Sequence, residues 1–148
     1  MKKIGELIKD KKVYFAEPHW TVTQTAKYMK EYDIGAVAVL DDGRVCGIFT
    51  ERDIMRQVVA ENLDPQTTSL NKVMTREVIT AEPDDSYEEC LLKMQQQHCR
   101  HLPVIVGSQL IGIISLRDLL QVDAMEKFER VKLLDYLLRY EIEVGEYD

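Results

Sequence analysis

Apolar runs of strand length alternate along this chain with segments whose apolar residues recur at helical spacing. AVAVL at 36–40 is a continuous apolar run, and DDG at 41–43 predicts a hairpin turn into VCGIF at 45–49. The predicted elements of this first half are a short amphipathic helix with Ile4, Leu7 and Ile8, an extended piece at 13–15, a helix from Thr21 or Thr23 to about 33–35, the two strands, and a helix from Glu51.

The same pattern occurs a second time at an offset of 65 residues. CGIFTERDI at 46–54 recurs as IGIISLRDL at 111–119, and in this alignment a glycine, a hydroxyl residue and an aspartate occupy equivalent positions in both copies. Such an internal duplication indicates a repeat architecture. The second set of predicted elements is a short helix with Leu70, Val73 and Met74, an extended piece at 78–80, a helix at 86–97, strands at 102–106 and 110–114, and a helix at 116–122. Each half therefore predicts a β-α-β-β-α unit, and the fold class is α/β, of the α+β type.

The last segment has no counterpart in the duplication. Its apolar residues recur at helical spacing over 125–140, and an acidic tail follows. This helix either packs on its own domain or forms a subunit contact, and the sequence leaves both possibilities open. The predicted division is repeat 1 at 1–66, repeat 2 at 67–124, and a C-terminal amphipathic helix with its tail at 125–148.

Composition and charge narrow the class of protein. Hydrophobic residues make up 45% and charged residues 30% of the chain, as in ordinary globular proteins. The start, MKKIGELIKDKK, does not read as a signal peptide, and apolar runs stay far below transmembrane length, so a cytoplasmic protein without a membrane partner is expected. A net charge of -7 argues against nucleic acid as a partner, and an anionic ligand would need a local basic pocket.

The repeated motif combines residue types that suit a sugar and a phosphate. Thr50 and Ser115 stand where a helix N-cap is expected, and Asp53 and Asp118 follow in the first turn. A helix start favours an anion, and a carboxylate there accepts hydrogen bonds from a sugar diol. The same spacing is also that of a capping box, which needs no ligand. Occurrence of the pair twice in register favours the binding interpretation over the purely structural one.

Other candidate chemistry is weak. Three cysteines without CxxC spacing predict buried free thiols. His98 and His101 lie three residues apart, but too few further ligands accompany them, so we expect no metal site. No nucleophile with an orienting third group is visible, and catalytic residues are therefore not expected.

Two β-α-β-β-α copies that each end a strand with G-h-h-[ST]-x-x-D resemble a tandem pair of cystathionine β-synthase (CBS) domains, or Bateman module. GIFTERD, GIISLRD and the strands IGAVAVL and RHLPVIV carry the resemblance, which covers about residues 1–122. It implies a pseudo-twofold pair of repeats, two clefts between the sheets, adenosine nucleotides as usual ligands, and disc-like homodimers.

The resemblance also implies roles for particular residues. Asp53 and Asp118 match the ribose-binding aspartates, and Thr50 and Ser115 match the hydroxyl position beside them. Each aspartate is expected to share a cleft with the first extended piece of the other repeat, which joins Asp53 to 79–80 and Asp118 to 14–15. The full expected set of ligand-binding residues is Thr50, Arg52, Asp53, Ser115, Arg117, Asp118, Arg100, His101, Thr80, Ile79, Tyr14, Phe15 and Gly35.

The two clefts are not expected to be chemically equal. Arg100 and His101 match a place where basic side chains often meet phosphate, whereas repeat 1 has Gly35 and Ala36 there. One cleft should therefore hold more phosphate charge than the other. Because the charge of a histidine changes near neutral pH, His101 should make part of that preference pH-dependent.

The expected function is that of a regulatory module, not an enzyme. It would bind an adenine nucleotide, namely AMP, ADP, ATP or NAD, need no cofactor, and act on a separate and unknown protein target through a change of shape or assembly. The alternative is a structural or adaptor dimer whose clefts stay empty.

Overall fold

The structure is a computed structural model that describes the backbone of residues 2–145 and the side chains of residues 2–139. Its elements are α1 Ile4–Ile8, β1 Phe15–Ala16, α2 Val22–Glu31, β2 Ala36–Asp41, β3 Arg44–Thr50, α3 Glu51–Asp53, the π-helical segment π1 Ile54–Val59, α4 Leu70–Val73, α5 Tyr87–Gln97, β4 His101–Val106, β5 Gln109–Ser115 and α6 Leu116–Gly145. The predicted helices and hairpin strands are confirmed in both halves, with shifts of a few residues at their ends.

The sheets of the two repeats differ by one strand. In repeat 1, β1 pairs in parallel with β2, and β2 pairs antiparallel with β3. In repeat 2, β4 and β5 form an antiparallel pair, while the segment before α5 makes a single parallel bridge between Ala81 and Val104. The Thr80 carbonyl oxygen accepts a hydrogen bond from the Lys93 ammonium at 3.1 Å instead of bonding to β4. The extended piece predicted at 78–80 therefore forms no strand, and the only bridge to β4 in this part of the described chain is made by the next residue, Ala81.

Each repeat places its short leading helix in the core of the other repeat. Helix α1 is fixed to repeat 2 by hydrogen bonds from Ile4 N to Asp85 O and from Gly5 N to Pro83 O, both 2.9 Å long. The core of repeat 2 accordingly contains Ile4, Ile8, Ala81, Tyr87, Cys90, Met94, Leu102, Val104, Ile114 and Leu119. The core of repeat 1 contains Ala16, Val22, Met29, Val37, Val39, Phe49, Val58, Leu70, Val73 and Met74, so α4 belongs to it. Packing therefore crosses the predicted boundary at residue 66 in both directions.

The glycines of the repeated motif make this exchange possible. A Cβ added to Gly47 would lie 2.6 Å from Met74 Sδ and 3.0 Å from the Thr75 carbonyl oxygen. A Cβ added to Gly112 would lie 3.2 Å from Ile8 Cδ1. The space beside each glycine is therefore filled by residues of an exchanged helix or of the segment just after it.

The helices that follow the two motifs take different forms. After α3, π1 continues with hydrogen bonds of five-residue spacing, such as Ala60 N to Met55 O at 2.9 Å. After β5, α6 is one α-helix of 30 residues, so the two helices predicted at 116–122 and 125–140 are continuous. Phe128, Val131 and Leu134 of α6 are about 60% exposed, which means that this part does not pack on its own domain.

Candidate functional site

Two clefts lie where the exchanged segments meet the hairpins of the opposite repeats. The Asp118 cleft has a volume of about 1220 Å³ and is lined by Lys11, Lys12, Tyr14, Asp33, Ile34, Gly35, Ala36, Glu51, Arg100, His101, Ile113, Ser115, Leu116, Arg117, Asp118, Leu120 and Gln121. The Asp53 cleft has a volume of about 650 Å³ and is lined by Ile48, Thr50, Glu51, Arg52, Asp53, Met55, Arg56, Gln57, Thr75, Glu77, Ile79, Gln97, His98, Cys99, Arg100 and His101.

Both predicted aspartates are held by capping boxes. Thr50 N donates to Asp53 Oδ2 at 3.0 Å, and Asp53 N donates to Thr50 Oγ1 at 3.2 Å. Ser115 N donates to Asp118 Oδ2 at 3.0 Å, and Asp118 N donates to Ser115 Oγ at 3.1 Å. The structural interpretation of the motif is therefore correct in both repeats, and each carboxylate uses only one oxygen for it.

The same bonds leave few amides at the helix starts for a ligand. Besides the capping amides, Glu51 N donates to Gly35 O at 3.0 Å, and Leu116 N donates to Arg100 O at 2.7 Å. Most of the backbone amides at each helix start are thus already engaged with the protein. A phosphate in either cleft would have to be bound chiefly by side chains.

The second carboxylate oxygen of each aspartate faces its cleft, but the two oxygens have different bonding partners. Asp53 Oδ1 accepts from Thr75 Oγ1 at 3.4 Å, whereas Asp118 Oδ1 forms an ion pair with Lys11 Nζ at 3.1 Å. Burial raises the pKa of Asp53, and the hydrogen bonds of Thr50 and Thr75 offset this only in part. Burial also works against ionisation of Asp118, but the Ser115 hydrogen bonds and Lys11 outweigh it and hold that pKa below its usual range.

Arg100 and His101 stand between the clefts and line both of them. Because β4 begins at the wall that the clefts share, their position assigns them to neither cleft alone, and the expected phosphate preference stays a prediction. Burial lowers the pKa of His101, and the nearby carboxylates of Glu51 and Asp118 compensate only partly. The imidazole is therefore chiefly neutral at pH 7, so its charge changes at a more acidic pH than expected.

The cross-pairing of the extended pieces holds for one residue of each predicted pair. Tyr14 lines the cleft of Asp118, and Ile79 lines the cleft of Asp53. Phe15 and Thr80 lie outside both linings, which corrects their assignment. Phe15 is 42% exposed on the edge strand β1, where alternation turns its side chain away from buried Ala16.

The remaining predicted residues lie on the cleft walls. Gly35 and Arg117 line the Asp118 cleft, and Arg52 lines the Asp53 cleft. Arg52 Nη1 reaches the His98 carbonyl oxygen at 3.5 Å, which bridges the two repeats across that cleft. Arginine side chains on both walls provide planar donors suited to phosphate.

The sequence analysis missed the two lysines that enter the Asp118 cleft. Lys11 and Lys12 precede Tyr14 on the segment that follows the exchanged helix α1. The 65-residue offset places Arg76 and Glu77 at the equivalent positions. The difference between the clefts could therefore have been predicted from the sequence, because aligning the two repeats at the 65-residue offset places Lys12 against Glu77, a reversal of charge.

The aromatic ring of Tyr14 is already partly stacked. Its centroid lies 4.8 Å from that of Tyr32 and 6.1 Å from that of Tyr28. Lys12 Nζ lies 5.4 Å from the Tyr32 centroid and 5.9 Å from that of Tyr14. Trp20 packs against the core of repeat 1 and on Tyr28, and it lies outside both cleft linings.

Groups that could support catalysis or metal binding are of limited number. Among the side chains that the structure describes, those of residues 2–139, no group of three or more His, Cys, Asp or Glu could hold a metal ion. Burial raises the pKa of all three thiols, that of Cys90 to about 11, which disfavours the reactive thiolate. In the same described region, no helix has the length and apolar character needed to span a lipid bilayer.

The fold and its paired clefts define a tandem module of two small α/β repeats, and comparison with known proteins gives the family. The model of the CBS domain matches residues 4–60 and again residues 70–128. The chain therefore belongs to the CBS domain family and contains two copies of the domain. The resemblance stated from the repeated motif is confirmed.

Individual relatives agree with this family. The CBS domain-containing protein YhcV of Bacillus subtilis is 34% identical over 102 residues, which cover 69% of this chain and 72% of YhcV. The solved structure of a putative signal-transduction protein with CBS domains from Burkholderia ambifaria is 35% identical, with a TM-score of 0.78 over 82% of this chain and 93% of that one. The CBS domain pair of protein MJ0100, solved in complex with 5-methylthioadenosine and S-adenosyl-L-methionine, has the same TM-score at 23% identity over 85% of this chain and 98% of that one, which shows the fold alone.

Proposed function

We propose that this protein is a regulatory module that binds adenine nucleotides in its two clefts. The observation that carries the proposal is the aspartate at each helix start, which caps the helix with one oxygen and turns the other towards a cleft. The cleft oxygen can accept hydrogen bonds from a ribose diol without loss of the cap. Family resemblance supplies the expectation of an adenine base, with AMP, ADP, ATP and NAD as candidates.

The charged side chains of the walls suit the remainder of such a ligand. Arg100 reaches both clefts, Arg52 and Arg56 belong to one, and Lys11, Lys12 and Arg117 belong to the other. Guanidinium and ammonium groups bind phosphate oxygens through charge-assisted hydrogen bonds. These local cations provide what a chain of net charge -7 needs in order to hold an anion.

We also propose that the module acts as a homodimer. Met55 and Leu120 occupy equivalent positions of the two repeats and are 54% and 50% exposed. A twofold interface joins the same surface of two copies, so exposed apolar side chains of both repeats can meet their counterparts across it. The exposed apolar residues of α6, among them Phe128 and Val131, would extend the contact. A second copy is therefore the occupant that this surface fits.

Light scattering tests the dimer. We expect a dimer at micromolar concentration for the wild type and dissociation for Met55→Asp combined with Leu120→Asp, because a carboxylate buried without a partner is costly. Glu61→Asp, at an exposed site outside both cleft linings, is the control. A wild type that stays monomeric with and without nucleotide would contradict the proposal.

A second candidate function is favoured by a specific observation. Since Asp53 and Asp118 both cap helices, their presence has a structural reason that holds even when no ligand binds. The protein could then serve as an adaptor dimer with empty clefts. In that case any regulation would come from the partner and not from a nucleotide.

Thermal unfolding with a panel of AMP, ADP, ATP, NAD and S-adenosylmethionine separates the two functions. A ligand at 100 times its dissociation constant adds about 2.7 kcal/mol of stability, which is readily measured. Inorganic phosphate and guanosine nucleotides serve as controls for charge and base. Stabilisation by an adenine nucleotide supports the sensor, whereas no shift with any member of the panel at millimolar concentration supports the adaptor.

A further inference from the structure

The two clefts carry opposite charges at one equivalent position. Lys12 lines the Asp118 cleft, and Glu77, which the 65-residue offset places opposite it, lines the Asp53 cleft. Each of these side chains belongs to the segment that follows an exchanged helix, α1 for Lys12 and α4 for Glu77, and that lines the respective cleft. The same structural position therefore attracts phosphate in one cleft and repels it in the other.

The neighbouring basic position sharpens this difference. Lys11 Nζ lies in the Asp118 cleft, 3.1 Å from Asp118 Oδ1, and its side chain is 46% exposed. Its counterpart Arg76 is turned out of the Asp53 cleft, because its Nη2 donates to the carbonyl and side-chain oxygens of Asn71 at 2.7 and 2.8 Å. One segment thus contributes two cations to its cleft, and the other contributes one carboxylate.

From this charge difference we infer that the clefts select ligands of different phosphate content, an inference that rests on the proposed nucleotide binding. The Asp118 cleft takes the nucleoside di- or triphosphate. The Asp53 cleft, which has Arg52 and Arg56 but also Glu77, takes an adenine ligand with less phosphate charge, no more than a monophosphate. Lys12 and Glu77 are the specificity-determining residues.

Lys11 gives the Asp118 cleft a second property. The ribose of a ligand and Lys11 compete for the same oxygen, Asp118 Oδ1. When the sugar takes that oxygen, the Lys11 ammonium is released beside the phosphates and binds them instead. The exchange moves a residue three positions after Ile8, whose side chain packs on Gly112 at the base of the same hairpin.

Isothermal titration calorimetry with adenosine, AMP and ATP tests the inference on four single variants. Lys12→Glu should weaken ATP binding about tenfold, because it replaces an attraction to phosphate by a repulsion. Glu77→Lys should strengthen ATP binding in the Asp53 cleft about tenfold, because it replaces a repulsion by an attraction. Adenosine affinity should stay within about twofold in both variants. Lys9→Glu and Glu61→Lys make the same changes of net charge at exposed sites outside both cleft linings and should change no affinity selectively.

The double variant Lys12→Glu with Glu77→Lys assigns the sites. In the wild type, Asp118→Ala should weaken ATP binding about thirtyfold while Asp53→Ala leaves ATP binding intact. On the double variant, the two aspartate changes should exchange their effects. Circular dichroism of each variant verifies that the fold is retained, and the wild-type affinity for ATP, but not for adenosine, should fall as ionic strength rises.

The outcomes distinguish this inference from the proposed function. A wild type that binds neither adenosine nor ATP overturns the proposed function and the inference together. A wild type that binds both ligands, but whose Lys12 and Glu77 variants behave as the Lys9 and Glu61 controls do, overturns the inference alone. A wild-type ATP affinity that does not change with ionic strength also overturns the inference alone.

Discussion

The two repeats share an order of elements but differ in their sheets and in the helices that follow the repeated motif. Both keep a glycine beneath the exchanged helix and a capping box at the next helix start. Between these fixed points they diverge. Repeat 1 has a three-stranded sheet and continues through α3 into the π-helical segment π1, whereas repeat 2 has two strands and continues into the 30-residue helix α6.

This comparison separates what the duplication must preserve from what it is free to change. Gly47 and Gly112 are required because side chains of the exchanged helices occupy the space of a Cβ. Lys12 and Glu77 are exposed, so that a reversal of charge there costs the fold little. Divergence therefore falls on the cleft walls, where we propose that it changes the ligand, and similarity falls on the contacts that hold the repeats together.

The largest expected effect comes from the motif glycines. Gly47→Ala should lose about 3 kcal/mol of unfolding free energy, because its Cβ would meet Met74 and also the less movable Thr75 carbonyl. Gly112→Ala should lose about 1 kcal/mol, since Ile8 Cδ1 at 3.2 Å can shift. Urea unfolding with m-values compared measures both. Equal losses would show that the two exchanged helices are packed alike.

The next effect concerns affinity at the capping aspartates. Asp53→Ala and Asp118→Ala should each cost one cleft about 2 kcal/mol of nucleotide affinity through loss of a charged acceptor. Each should also lose about 1 kcal/mol of stability, because the half of the capping box that binds the N-cap amide is removed. Asp53→Asn and Asp118→Asn retain a capping side chain and serve as controls. If calorimetry gives unchanged affinity and stoichiometry in both alanine variants, the ribose assignment is wrong.

Acid titration should distinguish the same two carboxylates without any ligand. The pKa of Asp118 is lowered in the folded protein, so its stabilising contribution is complete above the ordinary value of 3.8 and is lost as pH falls through the folded value. The pKa of Asp53 is raised, so its ionisation opposes folding above the folded value, and this penalty disappears as pH falls below 3.8. Relative to wild type, Asp118→Asn should therefore lose stability at neutral pH and recover on acidification, and Asp53→Asn should show the opposite trend. Parallel curves of unfolding free energy against pH would contradict the assigned environments.

Much of this comparison was predictable from the pattern of the chain. The repeated GIFTERD and GIISLRD segments pointed to both aspartates and to the family, because the strand end, the glycine and the helix cap lie within a few residues of one another in the sequence. The expected separation of the terminal helix at residue 125 was wrong, since α6 continues without a break and no residue there interrupts helical hydrogen bonding.

Features that depend on distant contacts were not predictable in the same way. The exchange of α1 and α4 is set by the fit of Ile8 and Met74 against glycines far along the chain. The place of Arg100 and His101 on a wall shared by both clefts depends on how the repeats meet, which a linear register does not contain. The π-helical spacing after Asp53 likewise has no sequence signal that we can identify.

The smallest expected effect concerns the two equivalent basic residues that precede Lys12 and Glu77. Lys11→Gln removes a partly exposed ion pair with Asp118 and should cost less than about 1 kcal/mol of stability, a loss that disappears in high salt. Arg76→Gln removes two short hydrogen bonds to Asn71, so its loss should be about 1 kcal/mol and should persist in salt. Urea unfolding at low and at molar salt measures the pair of variants. A loss in Lys11→Gln that is larger than that of Arg76→Gln, or that salt does not reduce, would mean that Lys11 holds its segment in place and is not available to leave Asp118 for a ligand.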